Sequence, residues 1–274
     1  MSTDWYSGMI QTMQLNGKAE RTQEAYARAV RMLGEFHGKA PDRVSQEELG
    51  DYFLHRRNES GWSPSTLRIC YAGVRFYFEN VLQREWPLLK ILKSQREQRL
   101  PSVLSVDEVR RVLSRVLTSH NRAFLTTVYS CGLRLKEALH LEVSDIDSAP
   151  DRMMIHVHRG KGAKDRYVPL PASTLGTLRV HWATHRNPKL IFPAMGRGGS
   201  SAPTATTPMA ISSVQGALRQ ALVSSGIRKR RVSVHTLRHS YVTHLLEAGV
   251  NIRAIGRYMG HADLETTMVY LHLT

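Results

Sequence analysis

The chain has 274 residues, 42% of them hydrophobic, with two cysteines and a formal net charge of +15. This length and apolar share allow one large domain or two ordinary ones with real cores, and they exclude wholesale disorder. No apolar run approaches the ~20 residues of a membrane span, the N-terminus lacks the basic start and apolar core of a secretory signal, and Cys70 and Cys131 have no metal-ligand spacing, so a membrane protein, a disulfide scaffold and a cysteine zinc site are set aside.

The charge is uneven. Residues 1–100 carry 15 basic and 12 acidic side chains, residues 101–274 carry 23 and 11. An excess of this size points to a polyanionic partner, with most of the attraction in the second part. A merely soluble basic protein would show the same excess.

Residues 1–96 read as helical. The run TQEAYARAVRMLGEFHG starts at Thr22, a candidate N-cap, and ends at Gly38, a helix stop. SQEELGDYFLHRRNESG sets Ser45 and Glu48 at capping-box spacing. SPSTLRICYAGVRFYFENVLQ offers Ser63 as cap and Pro64 at the first helical position. Three or four amphipathic helices with short connections make a small bundle. Residues 94–103, charged and then carrying Pro101, read as an inter-domain linker, which divides the chain into domains 1–97 and 98–274.

The second domain is mixed. Ser105 and Glu108 form another capping box before a helix. NRAFLTTVYSCGLRLKEALHL reads as two helices broken near Gly132. RMMIHVH and RYVPLP read as short strands joined by the Gly- and Lys-rich turn RGKGAKD. The stretch 196–208, GRGGSSAPTATTP, is a flexible loop by composition. Helices follow at AISSVQGALRQALVSSG, VHTLRHSYVTHLLEAG and NIRAIGRYMG. The fold class is therefore mainly α with a small antiparallel sheet.

Chemistry concentrates in VHTLRHSYVTHLLEAG. His235 and Arg238 stand three apart and share a helix face, near free N–H groups that favour an anion. His239 is turned a further ~100° from Arg238 and need not join them. Arg134 follows the break at Gly132. Lys161 lies in the turn between the strands, beside Arg159, Lys164 and Arg166. Tyr270 follows His261 by nine residues, about half a helical turn out of phase, so the two converge only if the helix breaks between them. Asp263 is a candidate N-cap for such a restart.

The boxes GLRLKEAL, GKGAKDR, HTLRHSYVTHLLEAG and GHADLETTMVYLH resemble the signatures of the tyrosine site-specific recombinases, nearest to the Xer recombinases, integron integrases and mobile-element integrases. The likeness covers nearly the whole chain. It implies a helical, SAM-like core-site DNA-binding domain followed by an α+β catalytic domain, the two clamping a duplex. It matches Arg134, Lys161, His235, Arg238, His261 and Tyr270 to the six active-site positions.

In those roles Tyr270 attacks a DNA phosphodiester to form a covalent 3′-phosphotyrosyl link. Arg134 and Arg238 hold the non-bridging oxygens in place of a metal ion. His235 accepts the phenol proton, Lys161 protonates the departing 5′ oxygen, and His261 bonds the phosphate. Lys164 competes with Lys161 for the acid role, and Tyr258 is a second tyrosine in the region. Glu137 is read as a structural carboxylate orienting an arginine; His239, His244 and His272 are left as structural or surface residues.

Arg159, Lys164 and Arg166, together with the run Arg228, Lys229, Arg230 and Arg231, are candidate DNA-backbone contacts. The resemblance further implies no metal, no cofactor, no ATP and no membrane. It implies a double-stranded recombination site as partner, a homodimer on each site, a homotetramer in the synapse, and a bacterial cytoplasmic, nucleoid-associated location.

Two departures stand out. The chain stops four residues after Tyr270, where relatives continue with a helix that docks into a neighbouring protomer, so either the chain is truncated or assembly uses other surfaces. The loop at 196–208 does not read as the extra helix with which integron integrases grip folded single strands, which ranks duplex DNA above that substrate. A type IB topoisomerase and a DNA-binding regulator with a decayed site are the rival readings.

Overall fold

The computed structural model describes residues 5–85, 101–158, 165–260, 265–268 and 270–271. The chain divides into two compact units, Met1–Arg99 and Leu100–Thr274. The expected linker lies mostly outside the described residues.

The first unit holds α1 (Trp5–Leu15), α2 (Glu20–His37), α3 (Gln46–Asn58) and α4 (Pro64–Phe76), whose end widens into a π-helical turn over Tyr77–Val81. Local chemistry sets most of these boundaries. Ser45 and Glu48 close a reciprocal capping box on α3, and the Ser63 hydroxyl accepts from the Thr66 N–H on α4, with Pro64 at the first position. Gly38 ends α2 in the left-handed conformation.

The start of α2 differs from expectation. It begins at Glu20, because the carbonyl of Ala19 already accepts from Thr22 and Gln23, which puts Thr22 inside the first turn. Met9, Met13, Val30, Leu33, Tyr52, Phe53, Val74, Tyr77 and Phe78 fill the core, which is apolar and rich in rings. α2 and α4 lie close enough at Gly73 that a Cβ there would come within 2.9 Å of the Tyr26 Cα.

The second unit runs α5 (Val106–Ser114), α6 (Ser119–Cys131), α7 (Leu135–Leu139), β1 (Ile146–Asp147), β2 (Met154–Val157), β3 (Arg166–Pro169), α8 (Ala172–Ala183), α9 (Ile211–Ser224), α10 (Val234–Glu247), α11 (Ile252–Met259) and α12 (Glu265–Met268). α6 is the central helix. Its Phe124, Leu125 and Val128 are fully buried and belong to one core with Ile155 and Val168 of the sheet, Val214 and Leu218 of α9, and Leu237 of α10.

The sheet is antiparallel in the order β1-β2-β3, with Ile155 opposite Val168 and His156 opposite Tyr167. The alternation that sends Ile155, Val157 and Val168 inward turns His156 and Tyr167 to the other face. β2 is shorter than the stretch read as strand, since Met153 adopts a positive φ of 46° just before it. β1 is a two-residue pairing that carries no sequence signal of its own.

The stretch 196–208 departs from its composition. It folds into two short 3-10 turns, Arg197–Gly199 and Ala202–Thr204. The buried Asn187 amide donates to the carbonyls of Ala202 and Ala205, while its oxygen accepts from the N–H groups of Lys189 and Leu190. One buried amide thus fixes a segment whose own residues carry no ordering pattern.

Candidate active site

The site is built where two helix stops meet a third helix. α6 ends at Gly132 with φ 61°, and a Cβ there would lie 2.5 Å from a ring carbon of Tyr241. This turn frees the Gly132 carbonyl, and α7 starts three residues later, with Arg134 at its N-cap. α11 stops at Gly260, also left-handed, and α12 begins at Glu265; the break expected between His261 and Tyr270 falls on a stretch that lies partly outside the described residues. α10 supplies the third wall.

Arg238 is 5% exposed on α10 and donates to both stop signals, at 2.5 Å to the Gly132 carbonyl and 2.6 Å to the Met259 carbonyl. Glu137 is the hub. It accepts the Arg134 N–H at 2.8 Å and its guanidinium at 2.7 Å, takes two hydrogen bonds from Arg166 at 2.9 and 2.7 Å, and lies 3.8 Å from Arg238. Burial alone would raise the Glu137 carboxyl, but the hydrogen bonds and charge of Arg166, with Arg134, hold it down at about 2. Burial and the neighbouring cation of Arg134 pull Arg238 down to about 9, still charged at neutral pH.

Three guanidinium groups against one carboxylate leave a positive excess in a partly desolvated place. An arginine has five N–H donors, so those left over on Arg134 and Arg238 can still hold a bidentate oxyanion. Such a place attracts a phosphate and stabilises charge growing on it.

Tyr270 packs among Tyr241, Val242, Ile255 and Met259 and is 5% exposed. Its hydroxyl is hydrogen-bonded with Nδ1 of His239. Burial raises its pKa, against the opposing charge of Arg238, so the phenol is protonated at neutral pH. His239 is held down at about 4 by burial, with the charges of His235 and Arg238 adding, and is therefore neutral at pH 7. His235 is exposed at the start of α10, and its pKa is lowered by the surrounding protein and by Arg238 and Arg134, against Glu137.

Of the six predicted positions, Arg134, His235, Arg238 and Tyr270 come together here; Lys161 and His261 lie outside the described residues, as does Asp263. His239 was missed. It stands four residues after His235, a spacing that returns to the same helix face, and that signal was available. His244, left aside as structural, bonds the Tyr129 hydroxyl at 2.8 Å. Tyr258 packs against the main core, and its carbonyl accepts from Nε of Arg166 at 2.7 Å.

The expected DNA contacts need correction at Arg166. The Arg166 side chain is 8% exposed, and Nε, Nη1 and Nη2 are all engaged, on Tyr258 and Glu137, so it braces the site from within. Lys229 donates to Glu108 at 2.6 Å and to the Val103 carbonyl at 2.9 Å, which ties it to the first turn of α5. Arg228, Arg230 and Arg231 are exposed, while Arg159 and Lys164 lie outside the described residues. No described helix is long and apolar enough to cross a membrane.

A buried tyrosine beside a cluster of guanidinium groups suits chemistry on a phosphate. The phage integrase family model matches residues 102–274, and that of the phage integrase N-terminal SAM-like domain matches residues 5–88. The chain is 38% identical over 266 residues to a putative integrase/recombinase, y4qK, of Sinorhizobium fredii, covering 97% of this chain and 83% of that one. It is 32% identical over 267 residues to tyrosine recombinase XerA of Thermococcus onnurineus, covering 96% and 88%. Its fold is similar to that of the XerH site-specific recombinase bound to palindromic difH substrate, with a TM-score of 0.73 at 19% identity over 96% of this chain and 79% of that one. The chain belongs to the phage integrase family, and it is a tyrosine recombinase.

Proposed function

We propose that Tyr270 is the nucleophile of this recombinase and that Arg134 and Arg238 hold the scissile phosphate. The observation that carries the reading is the excess of guanidinium charge around Glu137, coupled electrostatically to the Tyr270 phenol. Tyr270 leaves His239, its oxygen bonds to phosphorus, and the bond from phosphorus to the 5′ oxygen breaks. His235 takes the phenol proton, Lys161 gives one to the departing oxygen, and His261 bonds the phosphate. Rejoining reverses each transfer, and the phosphotyrosyl link conserves the energy of the broken bond, so no ATP is needed. The resemblance of the GKGAKDR and GHADLETTMVYLH boxes supports the roles of Lys161 and His261.

The partner is a duplex recombination site, bound by a homodimer and paired in a homotetramer. Exposed Arg228, Arg230 and Arg231 contribute phosphate contacts, which make affinity fall steeply with salt. Integration, excision and resolution of a mobile element share this chemistry.

The test is covalent trapping. Wild type on DNA carrying its site yields a protein–DNA adduct on a denaturing gel, and Tyr270→Phe binds the same DNA yet yields none. An adduct in that variant moves the nucleophile elsewhere, first to Tyr258. The hydrogen bond between Tyr270 and His239 favours a second reading, in which His239 is the proton acceptor. The two separate by variant: His235→Ala lowers cleavage by about 10²-fold or more with His239→Ala active if His235 is the base, and the order reverses if His239 is.

A further inference from the structure

We infer that His156, His158 and Asp165 form a binding site for a divalent transition ion of the zinc type, at the root of the β2–β3 hairpin. One ligand atom from each of the three lies within 4.8 Å of the others. The Asp165 Oδ2 stands 3.4 Å from Nε2 of His156 and 3.6 Å from Nδ1 of His158. These separations are long for hydrogen bonds. They are close to the edge of a tetrahedron about an ion bound at 2.0–2.1 Å, which is about 3.3–3.4 Å.

Both imidazoles are already oriented. His158 turns its other ring nitrogen, Nε2, to Oδ1 of Asp145 at 2.7 Å. Asp145 is 5% exposed, and its second oxygen accepts the Glu142 N–H at 2.8 Å. A ligand histidine whose far nitrogen donates to a buried carboxylate is the arrangement that fixes tautomer and ring angle in histidine metal sites. The ring of His156 stacks on Tyr167 at 4.5 Å with an interplanar angle of 11°. Two imidazoles and one carboxylate suit zinc, cobalt, nickel or copper better than magnesium or calcium.

Three protein ligands leave a fourth position for water. The placement matters because His158 immediately precedes, and Asp165 immediately follows, the segment 159–164 that carries Lys161. A bound ion would join the two ends of that segment, and through it bear on the general acid assigned above. The binding site itself does not depend on that assignment.

The test is a Zn²⁺ titration of the full chain by calorimetry, after chelator treatment and desalting. One saturable site is expected. His156→Ala and His158→Ala should each weaken it at least about tenfold, and Asp145→Asn, which leaves all three ligands in place, by about 10–100-fold. Co²⁺ in place of Zn²⁺ should give visible d–d bands that vanish in His158→Ala. Far-UV circular dichroism checks that each variant stays folded. Absence of saturable binding in the wild type overturns the site. So does binding unchanged in the His156→Ala/His158→Ala double variant, which would place the ion on others of the chain's 13 histidines.

Discussion

The two units handle a buried or half-buried arginine in opposite ways. In the helical unit Arg56 lies over the rings of Phe36, Tyr52 and Trp62, at 5.3, 5.0 and 4.8 Å from their centroids, at the margin of an apolar core. Its ion pairs, such as Lys39 with Glu48, are surface features. In the catalytic unit Arg166 and Arg238 are inside, and they are held by carbonyls at chain breaks and by one carboxylate. A core built on ring faces tolerates the loss of any one charge. A core that takes charges inside makes its stability hang on the countercharge.

The largest effect expected from this contrast is at Glu137. Glu137→Gln removes the negative charge shared by Arg134, Arg166 and Arg238 and should cost about 3–5 kcal/mol in urea unfolding of the catalytic unit. Glu48→Gln in the helical unit should move its own unfolding far less. Equal effects would break the comparison. A smaller effect comes from acid. Burial, with the charges of His185 and His120 adding, holds His181 at about 4, against about 6.5 in an unfolded chain. His239 is held at about 4 likewise.

Between those values the unfolded chain binds more protons, so stability present above about pH 6.5 is lost as pH falls toward 4. For the 5%-exposed His181 the loss is of order 2–3 kcal/mol. Glu137, held at about 2, adds its own loss only below the ordinary carboxylate range, so the window from about pH 6.5 to 4.5 isolates the histidines. Urea midpoints of wild type and His181→Phe at pH 7 and 5 check this. An acid loss undiminished in the variant would take His181 out of the account.

What the sequence disclosed follows the same line. The capping boxes at Ser45 and Ser105, the cap at Ser63 and the stops at Gly38 and Gly132 are local devices, complete within a few residues, and they were legible. The family boxes named Arg134, His235, Arg238 and Tyr270. The burial of Arg166 was not legible, because its partner Glu137 is 29 residues away in the chain, on α7, and only the tertiary fold brings β3 to it. Nor was the order in 196–208, which depends on Asn187 rather than on that stretch's own residues. His239 shares a helix face with His235, but its contact with Tyr270, 31 residues on, is made only by the fold.

The smallest prediction sharpens the contrast by removing it. The same capping box opens α3 at Ser45 and α5 at Ser105, with the serine hydroxyl 3.2 Å from the third N–H in both. A cap satisfies one orphan donor and knows nothing of the core behind it, so Ser45→Ala and Ser105→Ala should each cost about 1 kcal/mol. Hydrogen exchange read separately on the amides of α3 and α5 reports each cost within its own unit. The boxes match even in their lysines: Glu48 of the first also accepts from Lys39, and Glu108 of the second from Lys229. Both pairs reach the surface and contribute little beyond the cap. A cost at Ser105 several times that at Ser45 would mean that the catalytic unit couples even its surface caps to its interior charges, and the line drawn between the two units would then be in the wrong place.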